Sequence, residues 1–217
     1  MRAAVHVEQV LVGASALPGE LDVPADASAL VMFVHGSGSS RLSVRNRRVA
    51  GVLQRHRLAT LLFDLLTDEE GADRRNVFDI ELLGGRVEEA LDWSAMRSDL
   101  ADRPIGLFGA STGAAAALAA AAARPGRVGA VVSRGGRPDL AAASLTRVIA
   151  PTLLIVGGAD AEVLELNRSA LRLLSCNKRL EVVPDATHLF EEPGALDSVA
   201  ELAAAWFERH LVARRPS

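Results

Sequence analysis

Residues 105–123 constrain the fold of this 217-residue chain more than any other stretch. The apolar run Ile105–Phe108 has the character of a buried strand, and the alanine-rich run Ala114–Ala123 predicts a helix. Between them, residues 109–113 read Gly-Ala-Ser-Thr-Gly. Because glycine lacks a Cβ, the chain can turn sharply here and hold Ser111 in a strained conformation. The stretch therefore predicts a strand, a tight turn and a helix, with the serine hydroxyl at the tip of the turn.

Apolar runs typical of buried strands alternate with helical patterns along most of the chain. The predicted strands are Val5–Val12, Gly19–Val23, Ala29–Val34, Ala59–Asp64, Ile105–Phe108, Val128–Ser133, Thr152–Val156 and Arg179–Val183. The predicted helices are Val44–His56, Asn76–Leu100, Ala114–Ala123, Ala161–Leu174 and Ala195–Leu211. This alternation predicts an α/β fold, a single three-layer domain over residues 1–217 with a mostly parallel eight-stranded sheet. The short piece Asp139–Leu145 between two late strands leaves no room for a large lid.

The composition argues against several classes of partner. The chain is 49% hydrophobic and 24% charged, with a net charge of −3, so neither nucleic acid nor an anionic membrane is expected. No run of about 18 apolar residues predicts a membrane span, and the first residues lack the apolar core of a signal peptide. The lone Cys176 allows no internal disulfide, and no Cys/His cluster suggests zinc. We therefore expect a cytoplasmic protein with neither metal nor organic cofactor.

Three residues with complementary chemistry each follow a predicted strand, in the order Ser111, Asp160 and His188. In parallel sheets, sites form at the carboxyl ends of the strands, so the three side chains are expected to meet. A serine hydroxyl is a weak nucleophile that needs a base, usually histidine, and an acid that fixes the histidine tautomer. The pattern predicts Ser111 as nucleophile, His188 as base and Asp160 as acid.

Each of these assignments has an alternative. Asp160 also stands where it could cap the next helix, and Asp139, after the sixth strand, is a rival acid. His188 could be a solvated loop residue. Asp185 has the features of a turn residue rather than of a catalytic acid.

A second loop, residues 35–40, reads His-Gly-Ser-Gly-Ser-Ser directly after the third strand. We expect the Ser37 and Thr112 backbone N–H groups to form an oxyanion hole, and His35 to hold the loop in place. The alternative is a dinucleotide-binding fingerprint, which requires a glycine where this chain has Arg41.

Arginines lie close to these loops. Arg41, Arg45 and Arg134 could bind an anionic group of a substrate. The alternative is a salt bridge to Asp64, at the end of the fourth strand. Arg47 and Arg48 are expected on a solvated helix face.

With these motifs, the chain resembles the α/β-hydrolase superfamily over essentially its whole length and, within it, the dienelactone hydrolase-like group. The resemblance rests on residues 35–40, 63–66, 109–113, 133–139, 157–160 and 186–188. It implies the same roles for Ser111, Asp160 and His188, with Ser37 and Thr112 as oxyanion donors. True dienelactone hydrolases use cysteine as the nucleophile, so the serine here argues against dienelactone as the substrate. Similar sequences also occur joined to a phosphoribosyltransferase domain.

Together these features predict a serine hydrolase that acts on a small-molecule ester-type acyl substrate through an acyl-enzyme. Two alternatives remain: an acyltransferase or perhydrolase with the same residues, and a non-catalytic binding protein that keeps the fold. The exposed face of the last helix could also serve a homodimer.

Overall fold

Eight strands form one sheet in the computed structural model of the protein, which describes residues 7–212. The strands are β1 Val7–Val12, β2 Leu17–Asp22, β3 Ala29–Val34, β4 Leu58–Phe63, β5 Ile105–Ala110, β6 Val128–Arg134, β7 Thr152–Gly157 and β8 Lys178–Val183. Their order is β1-β2-β4-β3-β5-β6-β7-β8. β1 pairs antiparallel with β2, and β2 with β4, while all other pairs are parallel. The predicted fold class, with two antiparallel strands at one edge, is confirmed.

Helices cover both faces of this sheet. They are α1 Val44–Arg55, α2 Asp68–Ala72, α3 Ile80–Ala95, α4 Thr112–Ala123, α5 Ala142–Leu145, α6 Ala161–Leu173 and α7 Ala195–Leu211. α1 packs beside α7 over one face, and α3 beside α4 over the other. Two large hydrophobic cores result, one on each face of the sheet, and a third, small cluster joins Val156 of β7 to Val163 and Leu164 of α6.

Strand β3 shows why the apolar runs in the sequence are continuous. All six of its residues are buried. Ala29, Val31 and Phe33 join the core under α1 and α7, whereas Leu30, Met32 and Val34 join the core under α3 and α4. Successive side chains of a strand point to opposite faces, so a strand covered on both sides needs apolar residues at every position.

The predicted helix Asn76–Leu100 is wrong at both ends. Asn76–Phe78 is a separate 3-10 turn, and α3 begins only after Asp79, whose side chain accepts a hydrogen bond from the Leu82 N–H at 3.0 Å. The helix ends before Met96. Apolar periodicity continues beyond both ends, but the carboxylate at residue 79 satisfies a free N–H group of the first turn and fixes the start there.

The first hairpin and α2 also differ from the predictions. β2 begins at Leu17 rather than at residue 19, because the turn occupies residues 13–16 and Gly13 and Ala16 take positive φ values there. Val5 and His6, which belong to the predicted first strand, lie outside the described residues. α2 has no buried residue and therefore leaves no apolar pattern in the sequence. A capping box between Thr67 and Glu70 was its only signal.

The connection between β6 and β7 contains only the 3-10 turn Pro138–Ala141 and α5, so no large lid is built there. Within residues 7–212, no helix is long and apolar enough to cross a membrane. The same residues contain no cluster of His, Cys, Asp and Glu side chains that could hold a metal ion.

Candidate active site

Ser111 occupies the sharp turn between β5 and α4, as the sequence predicts. Its backbone has φ 52° and ψ −123°, a conformation that residues other than glycine rarely adopt. Three hydrogen bonds fix the turn: Ser111 N–H donates to the Arg134 carbonyl, and its own carbonyl accepts from Ala114 and Arg137 N–H. The surrounding backbone therefore imposes the strained conformation, which presents the hydroxyl at the carboxyl end of β5.

Two glycines allow this turn to pack tightly. A Cβ on Gly109 would lie 2.5 Å from the Ala114 Cα, and a Cβ on Gly113 would overlap the carbonyl oxygens of Val34 and His35. Strand β5, helix α4 and the loop after β3 thus meet with backbone against backbone. Any side chain at residue 113 would push that loop away from the serine.

We expect Gly113→Ala to lower the free energy of unfolding by about 2–4 kcal/mol, because its Cβ meets carbonyl oxygens that cannot move independently. Urea unfolding followed by circular dichroism measures this change. Gly85→Ala is the matched control, since Gly85 lies within α3 and nothing lies within 4 Å of a Cβ there. That variant should gain about 0.5–1 kcal/mol from helix propensity. Equal stabilities for the two variants would show that the contact at residue 113 is not tight.

His188 and Asp160 form a hydrogen-bonded pair. The His188 Nδ1 lies 2.7 Å from the Asp160 Oδ2, and the aspartate side chain is 15% exposed. A backbone hydrogen bond of 3.0 Å from Ala159 N–H to the Ala186 carbonyl holds the loop after β8 against the loop after β7. An Nδ1–H that donates to the carboxylate leaves Nε2 without a proton, which is the tautomer that a general base requires.

The structure does not favour the alternatives to Asp160 as the partner of His188, nor a capping role for the Asp160 side chain. Asp139 pairs with Arg137 through two hydrogen bonds of 2.9 and 2.8 Å. Asp160 stands at the N-cap position of α6, but its side chain caps no N–H group. Asp185 has φ 57° in the turn after β8, as suits a turn residue.

The loop of residues 35–40 contacts the first turn of α4. The Ser37 N–H donates to the Thr112 hydroxyl at 2.8 Å, so the two predicted oxyanion donors lie together beside the sharp turn of residues 109–113, called the elbow below. His35 binds the Gly36 carbonyl through Nδ1 and accepts the Leu65 N–H at Nε2, 3.1 Å away. Burial lowers the pKa of His35, which favours the neutral ring that these two contacts need. His35 thus ties the loop to the segment after β4.

A cavity of about 280 Å³ brings the Ser111 and His188 side chains together. Its walls include Ser111, His188, Ser37, Arg45 and Arg134. Among the described residues, no hydrogen bond joins the Ser111 hydroxyl to the His188 ring, a contact that often tightens only when substrate binds. Ser43, Asn46 and Leu189 also line the cavity, and sequence reasoning missed all three. None of the three carries a motif of its own. Ser43 and Asn46 reach the site because α1 packs beside it, and Leu189 reaches it as the residue after His188.

The predicted rim arginines divide into two groups. Arg41 pairs with Asp64, which also accepts the Arg41 N–H at 2.7 Å, and it does not line the cavity. This is the salt bridge that the sequence left open as an alternative. Arg45 and Arg134 do line the cavity, while Arg47 and Arg48 form exposed ion pairs with Glu20 and Asp197.

Known proteins share this fold, and some of them also share much of the sequence. A solved dienelactone hydrolase from Anabaena variabilis is 53% identical, with a TM-score of 0.92 over 97% of this chain and 100% of that chain. The esterase domain of a Rhodothermus marinus protein, at 19% identity and a TM-score of 0.75 over 96% of this chain and 100% of that one, shares the fold.

Two curated proteins from strains of Mycobacterium tuberculosis are 57% identical over 209 residues and are provisionally named phosphoribosyl transferases. The match covers 96% of this chain but 47% of theirs, so this chain spans about half the length of these relatives. The sequence model of the dienelactone hydrolase family matches residues 61–212, which include the elbow, the aspartate and the histidine. By this match and these identities, the chain belongs to the dienelactone hydrolase family.

Proposed function

We propose that this protein is a serine hydrolase that cleaves a small ester-type substrate through an acyl-enzyme on Ser111. One observation carries the proposal. A strained serine and a histidine whose Nδ1 lies 2.7 Å from a carboxylate face the same cavity. This arrangement supplies a nucleophile, a base and an acid that orients the base.

In the first step, His188 Nε2 accepts the Ser111 proton as the hydroxyl oxygen attacks the substrate carbonyl carbon. The C–O bond to the leaving group then breaks, and the proton on His188 passes to the departing alcohol. Asp160 stabilises the imidazolium that forms between these two transfers. In the second step, His188 takes a proton from the water that attacks the acyl carbon. The bond from that carbon to Ser111 Oγ then breaks, His188 returns the proton to the serine oxygen, and the acid leaves.

Backbone N–H groups would stabilise the tetrahedral oxyanion. Thr112 is the first residue of α4, so its N–H has no acceptor within the helix, and the positive end of the helix dipole lies there. The Ser37 N–H lies on the same side, donating to the Thr112 hydroxyl. A substrate oxyanion would take over or share that second donor.

The size and setting of the cavity favour small substrates. Its volume is about 280 Å³, and the connection after β6 adds only short helical turns rather than a covering domain.

The Mycobacterium tuberculosis relatives extend well beyond the matched region. We assign hydrolase chemistry to the half that they share with this chain and the transferase activity of their provisional name to the remainder.

A fluorophosphonate tests the proposal directly. We expect the folded wild type to gain the mass of one adduct, because an activated Ser111 oxygen displaces fluoride from phosphorus while His188 accepts the proton. Intact mass spectrometry measures the adduct, and peptide mapping places it. Ser111→Ala and urea-unfolded wild type are the blanks. A folded wild type that stays unmodified would contradict the proposal.

A further inference from the structure

Arg134 ends strand β6 directly beside the catalytic elbow. It is opposite Ala110 in the sheet register, and its carbonyl accepts the Ser111 N–H. Only 7% of the residue is exposed. Its Nε is buried without a hydrogen-bond partner, and the contact of its Nη2 to the Asn46 Oδ1 is long, at 3.4 Å. The guanidinium therefore has an amide oxygen but no carboxylate partner among residues 7–212.

Several other partly buried arginines among residues 7–212 are paired with acids, whereas Arg103 donates to the backbone carbonyl oxygens of Asp99 and Ala27. Arg86 binds both Glu70 and Glu89, and Arg41 binds Asp64. Both are more exposed than Arg134. Arg134 is the most enclosed arginine of residues 7–212. Leaving it without an acid is costly, because a charge removed from water needs an opposite charge or several hydrogen bonds.

The charges around Arg134 raise this cost. The neighbouring charged side chain is Arg45, another cation, and the first turn of α1 that carries Arg45 contains no acidic residue. Among residues 7–212, the acid partner of Arg45 is the exposed Glu191, at 3.3 Å. Burial, with a smaller effect of Arg45, lowers the pKa of Arg134 to about 10, so it remains a cation at neutral pH.

We propose that Arg134, together with Arg45 and Asn46, forms a subsite for an anionic oxygen group, a carboxylate or a phosphate, on the substrate. These three side chains line the cavity that also contains Ser111 and His188. The inference rests on the proposed function, since it places the anion on the molecule whose ester bond is cleaved. A planar guanidinium donates two parallel hydrogen bonds to either kind of anion and supplies the missing counter-charge.

Three 4-nitrophenyl esters test the subsite. The butyrate, succinate and 3-phosphonopropionate esters share a leaving group and a short acyl chain, and they differ in the far end, which is neutral, carboxylate or phosphonate. We expect wild-type kcat/KM to be about tenfold or more higher for one anionic ester than for butyrate. The better of the two anionic esters identifies the group.

The Arg134→Met variant should lower the ratio of kcat/KM for the anionic ester to kcat/KM for butyrate by about 10- to 100-fold. Arg134→Lys should lower it by less, because lysine keeps the positive charge but cannot donate two parallel hydrogen bonds. Arg47→Gln, which removes an exposed charge from α1, the helix that carries Arg45, is the control and should keep the ratio. No wild-type preference for either anionic ester, or a ratio that survives Arg134→Met, would overturn the subsite.

If a substitution at the buried residue 134 prevents folding, a second measurement still tests the subsite. Sodium succinate or inorganic phosphate should slow the labelling of wild-type Ser111 by a neutral fluorophosphonate, whereas neutral succinamide should not. Arg45→Met, at a half-buried position, should weaken this protection. Absence of protection by both anions would also overturn the subsite.

The two proposals fail in different ways. If Ser111 is never labelled and no ester is cleaved, yet succinate or phosphate raises the thermal midpoint of wild type more than that of Arg45→Met, the hydrolase fails and the anion site stands. If labelling and butyrate hydrolysis succeed while the anions have no effect, the hydrolase stands and the subsite falls.

Discussion

Replacing Ser111 by alanine is expected to lower kcat for an ester substrate by about 10⁴- to 10⁶-fold, because no other group at the elbow can form the acyl-enzyme. Hydrolysis of a 4-nitrophenyl ester, followed by release of the nitrophenolate, measures the loss. The folded state should survive, since the three backbone hydrogen bonds of the turn do not involve the hydroxyl. A folded Ser111→Ala protein that keeps more than about a tenth of the wild-type rate would rule out the acyl-enzyme.

Ser111→Gly should abolish activity equally but give a more stable protein than Ser111→Ala. At φ 52° and ψ −123°, a Cβ is strained and only glycine relaxes the backbone. We expect the glycine variant to have a free energy of unfolding about 1–2 kcal/mol higher than the alanine variant. Urea unfolding of the two inactive proteins checks this, and equal stabilities would show that the elbow stores no strain.

Asp160→Asn is expected to reduce kcat by about 10³- to 10⁴-fold, the second largest effect on the rate. An asparagine amide can donate to His188 Nδ1 and so favours the tautomer that carries its proton on Nε2, where it cannot accept the serine proton. The geometry of the pair should stay close to its present 2.7 Å contact. Steady-state kinetics with the same ester gives the loss, and circular dichroism verifies the fold.

Asp139→Asn is the matched control for this variant. Asp139 also follows a strand at the same end of the sheet, but it pairs with Arg137 rather than with His188. We expect its kcat to stay within about threefold of wild type. A large loss of kcat in Asp139→Asn together with a small loss in Asp160→Asn would show that Asp139, rather than Asp160, is the acid that orients the histidine.

Much of the fold and of the candidate site could be predicted because the signals are local. The apolar run of β3, buried on both faces, needs no distant information to be recognised as a strand. The elbow can likewise be predicted from residues 105–123 alone, since the strand, the two glycines and the helix are contiguous. The pairing of Asp160 with His188 could be expected because both follow neighbouring parallel strands, whose carboxyl ends share one edge.

The misplaced boundaries have local causes that apolar patterning does not detect. The Asp79 cap begins α3 within an apolar pattern that continues on both sides. α2 depends on a capping box and buries nothing, so periodicity could not reveal it. Both cases show side-chain hydrogen bonds to free N–H groups deciding where a helix begins.

The sequence by itself determined the α/β fold, the strained serine and the order of Ser111, Asp160 and His188 in the candidate site, because contiguous residues or neighbouring strands encode each of them. Only the tertiary structure decided which arginines are neutralised. Arg41 meets Asp64 23 residues away, whereas Arg134 meets Asn46 across 88 residues and pairs with no acid in the described part of the chain. Charge pairing depends on which side chains face each other across packed elements. The sequence alone does not tell one arginine from another, whereas in the structure Arg134 is distinguished by its burial beside a second cation, Arg45.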